Sequence, residues 1–317
     1  MRGALRKGAR SRLWRQLVRE RYLHLMIWPV IVWLIVMQYI PMFGLQIAFR
    51  DFRFNKGILF SPFVGLRHFR SFITDPYIVD VITNTLGMSL IKVFLMFPVP
   101  IVLAIMLNEV RSDAFRRPIQ TISYFPHFIS WTIVALMATT WLSPTRGFVN
   151  RFLVAAGVLA KPYLFLGDPK AFWWIALALE IWKSTGWGSI IYLAAIAGIE
   201  QEMYESAIID GANRFQRVVH VTLPSILGTI MIMFIINVGN MLYGGLYASN
   251  FQVSYLLGNP LNMSRSEILD TYILKVGISL GRYSYATAVG LISAVISFLL
   301  LLAANKISER TTEKSLF

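Results

Sequence analysis

Six predominantly apolar stretches, at 24–49, 79–107, 121–142, 172–198, 224–247 and 283–305, constrain this chain more than any other feature. Each is long enough to cross a bilayer as a helix, which takes about 20 residues. No water inside the hydrocarbon can satisfy a peptide group, so a helix is the form in which such stretches span. The fold expected is therefore all-α, a polytopic transmembrane helix bundle of six spans. An even number of spans puts both termini on one side. Composition agrees: of 317 residues, 56% are hydrophobic and only 15% charged, and mean hydropathy is +0.59. A soluble domain of this length would carry more charge and fewer apolar runs.

The net charge of +14 points to lipid rather than nucleic acid, because the basic residues cluster beside apolar blocks, where anionic headgroups lie. Residues 1–23 hold Arg2, Arg6, Lys7, Arg10, Arg12, Arg15, Arg19 and Arg21 against the single acid Glu20. By the positive-inside rule this arm is cytoplasmic, and so is the tail at 306–317. Elsewhere Lys and Arg divide almost evenly between the two sides, so orientation rests on the arm and on the loop at 199–223.

Catalytic constellations are missing. The absence of cysteine excludes disulfides, thiolate metal sites and cysteine nucleophiles, and His24, His68, His127 and His220 lie without metal-ligand spacing. No phosphate-cradling loop, nucleophile elbow or HExxH is present. If ATP drives this chain, another polypeptide hydrolyses it, and the expectation is a transport subunit rather than an enzyme.

One long amphipathic segment lies between two apolar blocks without a signal for burial: YESAIIDGANRFQRVVHVTLP, from Tyr204 to Pro224. A short helix from Met203 to Ile209, with Glu205 near its start, should break at Asp210-Gly211. Gly211 supplies the freedom for a sharp turn, and Asp210 is expected to cap a helix restarting at Ala212. Phe215, Val218, Val219 and Thr222 then fall on one face.

The order Glu205, Ser206, Ala207, two apolar residues, Asp210-Gly211-Ala212, Phe215 and Thr222-Leu223-Pro224 resembles the EAA loop of ABC importer permeases, with Ser206 where the family usually has Ala. The resemblance implies a type I ABC importer permease fold and a loop that docks in a groove of an ATP-hydrolysing subunit. Glu205, Ser206, Ala207, Asp210, Gly211, Ala212 and Phe215 would be the coupling residues. It further implies a second homologous permease, two ATP-binding subunits carrying ATP and Mg, and an extracytoplasmic solute-binding protein. This chain would hold no cofactor of its own. LGNPL, DTYILKVG and RYSYATAVGL, farther on, resemble LplB/YtcP-type carbohydrate permeases and the alginate-type oligosaccharide importers, which implies a carbohydrate cargo at a prokaryotic cytoplasmic membrane.

Ionisable residues inside spans are expensive and mark candidate function. Lys92, Glu180 and Lys183 lie near mid-membrane; Glu180 and Lys183, three apart, can pair with each other, and Lys92 can reach Glu180 or snorkel. Asn237, Asn240 and Tyr243 are spaced as a polar stripe whose amides and phenol suit sugar hydroxyls. Trp131, Trp182 and Trp187 are weaker candidates, whose ring faces suit pyranoses. Structural readings stand beside these: an ion pair locking the bundle, interhelical hydrogen bonds and ordinary Trp packing, with Gly186 and Gly188 allowing close helix approach. An excess of lysine over glutamate would favour an anionic oligosaccharide. Two other readings remain open at this point, an ABC permease for a non-sugar solute and an ion-coupled secondary carrier.

Overall fold

The computed structural model describes residues 19–247 and 249–312. Most of the basic arm at 1–23, and the end of the tail beyond 312, lie outside the described residues. The long helices are α1 (Arg21–Phe49), α3 (Pro76–Glu109), α7 (Pro169–Ala197), α9 (Arg214–Gly239) and α12 (Tyr283–Thr312). Shorter ones are α2 (Arg67–Thr74), α4 (Asp113–Phe128), α5 (Trp131–Trp141), α6 (Phe148–Ala155), α8 (Gln201–Ile209), α10 (Asn250–Leu257) and α11 (Leu269–Leu274). Two isolated bridges, Arg50 with Phe63 and Arg53 with Gly57, are the extended pairing among the described residues.

Four of these helices are long and apolar enough to cross a membrane, or five if α4 and α5 together count as one broken span. With 29 residues, α7 reaches about 43 Å at 1.5 Å per residue; its Glu180 and Lys183 make it less apolar than the others. The span expected at 121–142 is not one straight helix: α4 and α5 meet at a bend of 98°. The break follows from the local sequence. Pro126 sits in a 3₁₀ turn at the end of α4, and Ser130 restarts the chain by accepting the Ile133 N–H (3.3 Å).

Three apolar clusters succeed one another along α3. At one end Ile78 and Val81 pack with Phe72, Leu269, Tyr272, Val276, Tyr285 and Val289. Met88 joins Ala135, Phe172, Ala176, Val253 and Ile268 in the middle. Toward α8, Ile101 and Ala104 meet Tyr192, Ile196 and Ile226. Helix starts are capped by acids: Asp75 accepts the Tyr77 N–H (3.0 Å) ahead of α3, and Asp168 accepts the Lys170 N–H (2.9 Å) ahead of α7. The Tyr163 hydroxyl also donates to Asp168, which holds that carboxyl below the usual carboxylate range.

The first stretch of α1, Arg21–Leu34, has no buried residue. Trp28, Trp33, Met26 and their neighbours present a continuous apolar surface that water would not tolerate and lipid or a partner helix would.

Candidate coupling elbow and the buried polar seam

The turn after α8 is built by backbone geometry. The Ala212 N–H donates to the Ala207 carbonyl (2.9 Å) and the Gly211 N–H to the Ile208 carbonyl (3.0 Å). This double bond pattern is a Schellman motif, and it requires a left-handed residue where Gly211 sits, at φ +80°. Ala207 and Ala212 stand at the two positions whose small apolar side chains meet in that motif, which gives a physical reason for alanine at both.

The cap that follows is not the one expected. Asn213, not Asp210, starts the next helix, at Arg214. Its side chain accepts the Gln216 N–H (2.9 Å), while the Gln216 side chain accepts the Asn213 N–H (2.8 Å). This reciprocal capping box was legible as N-x-x-Q in the sequence. Asn213→Ala should cost about 1 kcal/mol locally; amide exchange across 211–217 is expected to quicken about fivefold, and unchanged exchange would contradict the cap's role.

Once restarted, the helix runs on as α9 from Arg214 to Gly239, so elbow and span form one rod, and a hydroxyl contact between Tyr204 and Thr222 (2.9 Å) ties α8 to it. Glu205, Ser206, Asp210 and Gly211 are exposed. So are the apolar side chains of Ile208, Ile209 and Phe215, Ile209 at 85% and Phe215 at 76%.

Glu180 does not pair with Lys183. Its Oε2 lies 3.2 Å from Lys92 Nζ, and both side chains are almost fully buried. Lys92 also donates to Ser249 Oγ (2.6 Å), Ser249 donates to Glu180, and Ser184 donates to Glu180 Oε1 (3.0 Å). Lys92 opens a π-helical turn in α3, Lys92–Met96. Such turns wind the chain wider locally, and they are frequent at functional sites. The seam continues with Asn250 donating to Ser89 Oγ (2.9 Å) and Asn84 donating to the Ser264 and Glu267 carbonyls (3.0 and 3.1 Å). Ser249, just ahead of α10, and Ser184, inside α7, carried no signal of this role in the sequence, since serine is commonplace at both kinds of position.

Lys183 is committed elsewhere. It donates to the carbonyls of Pro126 (3.3 Å), His127 (2.6 Å) and Ile129 (2.6 Å). A cation at the C-terminal end of α4 satisfies acceptors that the helix leaves open. Trp131 lies with its ring centroid 5.7 Å from the same ammonium, and Trp187 stacks on His127 at 4.5 Å and 3°. Lys183, Trp131 and Trp187 thus come together, around the break between α4 and α5. Close approach there needs Gly186, where an added Cβ would lie 2.0 Å from the Ser123 carbonyl oxygen. Lys183→Met should therefore lower stability by about 2–3 kcal/mol, read as an earlier thermal unfolding midpoint in detergent; an unchanged midpoint would contradict the locking role.

Asn237, Asn240 and Tyr243 do not form a stripe, because α9 ends at Gly239 and 3₁₀ turns follow. Asn237 is buried and accepts the Leu246 N–H (3.1 Å), close against Gly245, whose φ is +72°. Asn240 is exposed, and its amide returns to the Ile236 carbonyl (3.0 Å). With Lys92 paired and Lys183 spent on carbonyls, the expected surplus of positive charge does not face an open path.

The family model of the inner membrane component of binding-protein-dependent transport systems matches residues 96–313. The chain belongs to this family. The permease is 38% identical over 301 residues to protein LplB of Bacillus subtilis (strain 168), covering 95% of this chain and 92% of LplB. It is 37% identical over 312 residues to the polygalacturonan/rhamnogalacturonan transport system permease protein YteP of the same organism, covering 98% and 95%. A chain of a bacterial ABC transporter involved in the import of the acidic polysaccharide alginate superposes with a TM-score of 0.87 at 38% identity, covering 95% of the permease and 99% of that chain. The alginate transporter in complex with an alginate pentasaccharide-bound periplasmic protein matches with the same TM-score, covering 96% and 100%. The permease is an integral component of the inner membrane with the type I ABC permease fold, and the elbow lies inside the matched region.

Proposed function

We propose that the permease is one of two such subunits in an ATP-driven importer of a carbohydrate, most simply an oligosaccharide. The observation that carries this reading is the elbow: a Schellman turn that leaves Glu205, Ile209 and Phe215 exposed and is continuous with the span α9. Exposed aliphatic and aromatic side chains flanked by polar ones are what a docking partner buries. ATP and Mg would sit on that partner, whose closure would press on α8 and rock the bundle through α9.

In this reading Glu205 makes a polar contact with the ATPase, Ser206, Ala207 and Ala212 shape the face that enters its groove, and Phe215 anchors it. Asp210 precedes the turn, and Gly211 makes it. Both termini lie in the cytoplasm, and the loops at 50–78 and 248–282 receive an extracytoplasmic binding protein. Carbohydrate as cargo is supported by the polygalacturonan/rhamnogalacturonan in the name of YteP and by the alginate that the structural relative is involved in importing.

Affinity purification from mild detergent tests the reading. A P-loop ATPase and a second permease should accompany the tagged chain, and the reconstituted complex should take up a saccharide only with ATP. A chain that purifies alone and transports without ATP would overturn it in favour of a secondary carrier.

A further inference from the structure

A cleft of about 460 Å³ opens beside α10 and α11, at the end of the bundle away from the elbow. Its size falls within the range of small-ligand sites, and it shares with the buried seam only Glu267, whose carbonyl, not its carboxylate, accepts from Asn84. Glu267 lines it and is 7% exposed. Lys275 donates to Glu267 Oε1 (3.0 Å) and is half-exposed. Glu267 Oε2 is buried and has no hydrogen-bond partner among the described residues. A carboxylate oxygen in that condition is costly, and a native structure gives a reason for it. On another wall Tyr255 is 60% exposed and stacks on Phe251, centroids 5.4 Å apart and planes 14° from parallel.

From these groups we infer that the cleft binds one sugar ring of the cargo, an inference that rests on the carbohydrate reading above. A pyranose presents an apolar face and a rim of vicinal hydroxyls. Tyr255, backed by Phe251, offers a flat ring to the face. Glu267 and Lys275 set an acceptor and a donor side by side for the rim, and together they are neutral. Neutrality favours hydroxyls over a free anion or cation, since either ion would meet a like charge as well as an opposite one. Oε2 is covered; a small rotation about the terminal torsion of Glu267, which is soft, brings it to a ligand hydroxyl. The cleft would thus be a specificity-determining subsite, read by sugar stereochemistry rather than by charge.

The chain has no cysteine, so Ser279→Cys places its one thiol on the wall of this cleft. Alkylation of that thiol by a maleimide, read as a mass shift of this chain in the complete transporter in nanodiscs, is followed with and without tetragalacturonate or maltotetraose. Uptake of both probes is measured in parallel in proteoliposomes. The probe that is imported should slow alkylation about tenfold, the loss of protection in a Glu267→Gln background matching one charged hydrogen bond. Tyr255→Ala, at an exposed position tolerant of truncation, should raise KM for uptake and leave kcat unchanged. Import of a probe with no protection and no change in KM would overturn the cleft while leaving the importer intact. A transporter that imports neither probe but carries a solute that is not a saccharide would overturn the carbohydrate reading and the cleft with it.

Discussion

In a Gly211→Val variant, ATP-driven uptake is expected to fall to background while the chain still inserts and accumulates in the membrane. Gly211 holds φ +80° at the left-handed position of the Schellman turn. A Cβ there would meet no atom of the described residues within 4 Å, so the penalty is conformational. It amounts to about 1–2 kcal/mol for an ordinary L-residue and more for a β-branched one. The turn relieves that strain by leaving the left-handed region, which breaks the Ala212 and Gly211 hydrogen bonds and changes the direction in which the chain enters α9. Nothing in the apolar clusters depends on Gly211, so folding of the spans is untouched. Uptake and ATP hydrolysis measured together in proteoliposomes check this: hydrolysis without uptake, or loss of both with normal expression, fits uncoupling, and full uptake contradicts it.

Lys92→Met is expected to be the most destabilising single change among the polar residues, about 3–5 kcal/mol. It strands Glu180, which is 1% exposed and surrounded by Ser184 and Ser249. Glu180→Gln should be milder, since the amide keeps an acceptor for Lys92 while leaving the ammonium without its counter-charge. The double change Lys92→Met with Glu180→Met removes both charges and should recover most of the loss, because the two effects belong to one interaction and do not add. Thermal unfolding of the purified single and double variants measures this. If instead Lys92→Met leaves the midpoint unchanged and alters only KM for cargo, the pair belongs to a transport path rather than to the lock between α3 and α7.

How far the sequence carried differs between elbow and seam, and the difference is physical. The elbow is local: a Gly at a left-handed position and a capping residue are encoded within a few residues of where they act. Even there Asp210 drew the cap that belongs to Asn213, because Asp and Asn are nearly equal N-cap residues and only the Gln three places on distinguishes them. The seam is tertiary. Glu180 and Lys183 are close in sequence, yet Glu180 takes Lys92 from α3 and Lys183 takes the carbonyls of a break in another helix. That break lay inside an apolar stretch whose hydropathy hides it, although Pro126 and Ser130 were there to be read. The Asn237 to Tyr243 spacing suggested a helical stripe because nothing in the apolar pattern announced the end at Gly239; Gly244-Gly245, both at positive φ, were the available warning.

If the elbow transmits ATP hydrolysis to the spans, α8 must touch the ATPase. Ile209, the most exposed apolar residue of α8, is replaced by photoreactive benzoylphenylalanine, and membranes that hold the assembled transporter are irradiated. The expected result is a single crosslinked product in which this chain is joined to a subunit carrying a phosphate-cradling loop, with a yield that changes when ATP is added. Crosslinks to lipid alone, or to the second permease alone, in a transporter that still takes up its cargo with ATP, would contradict it.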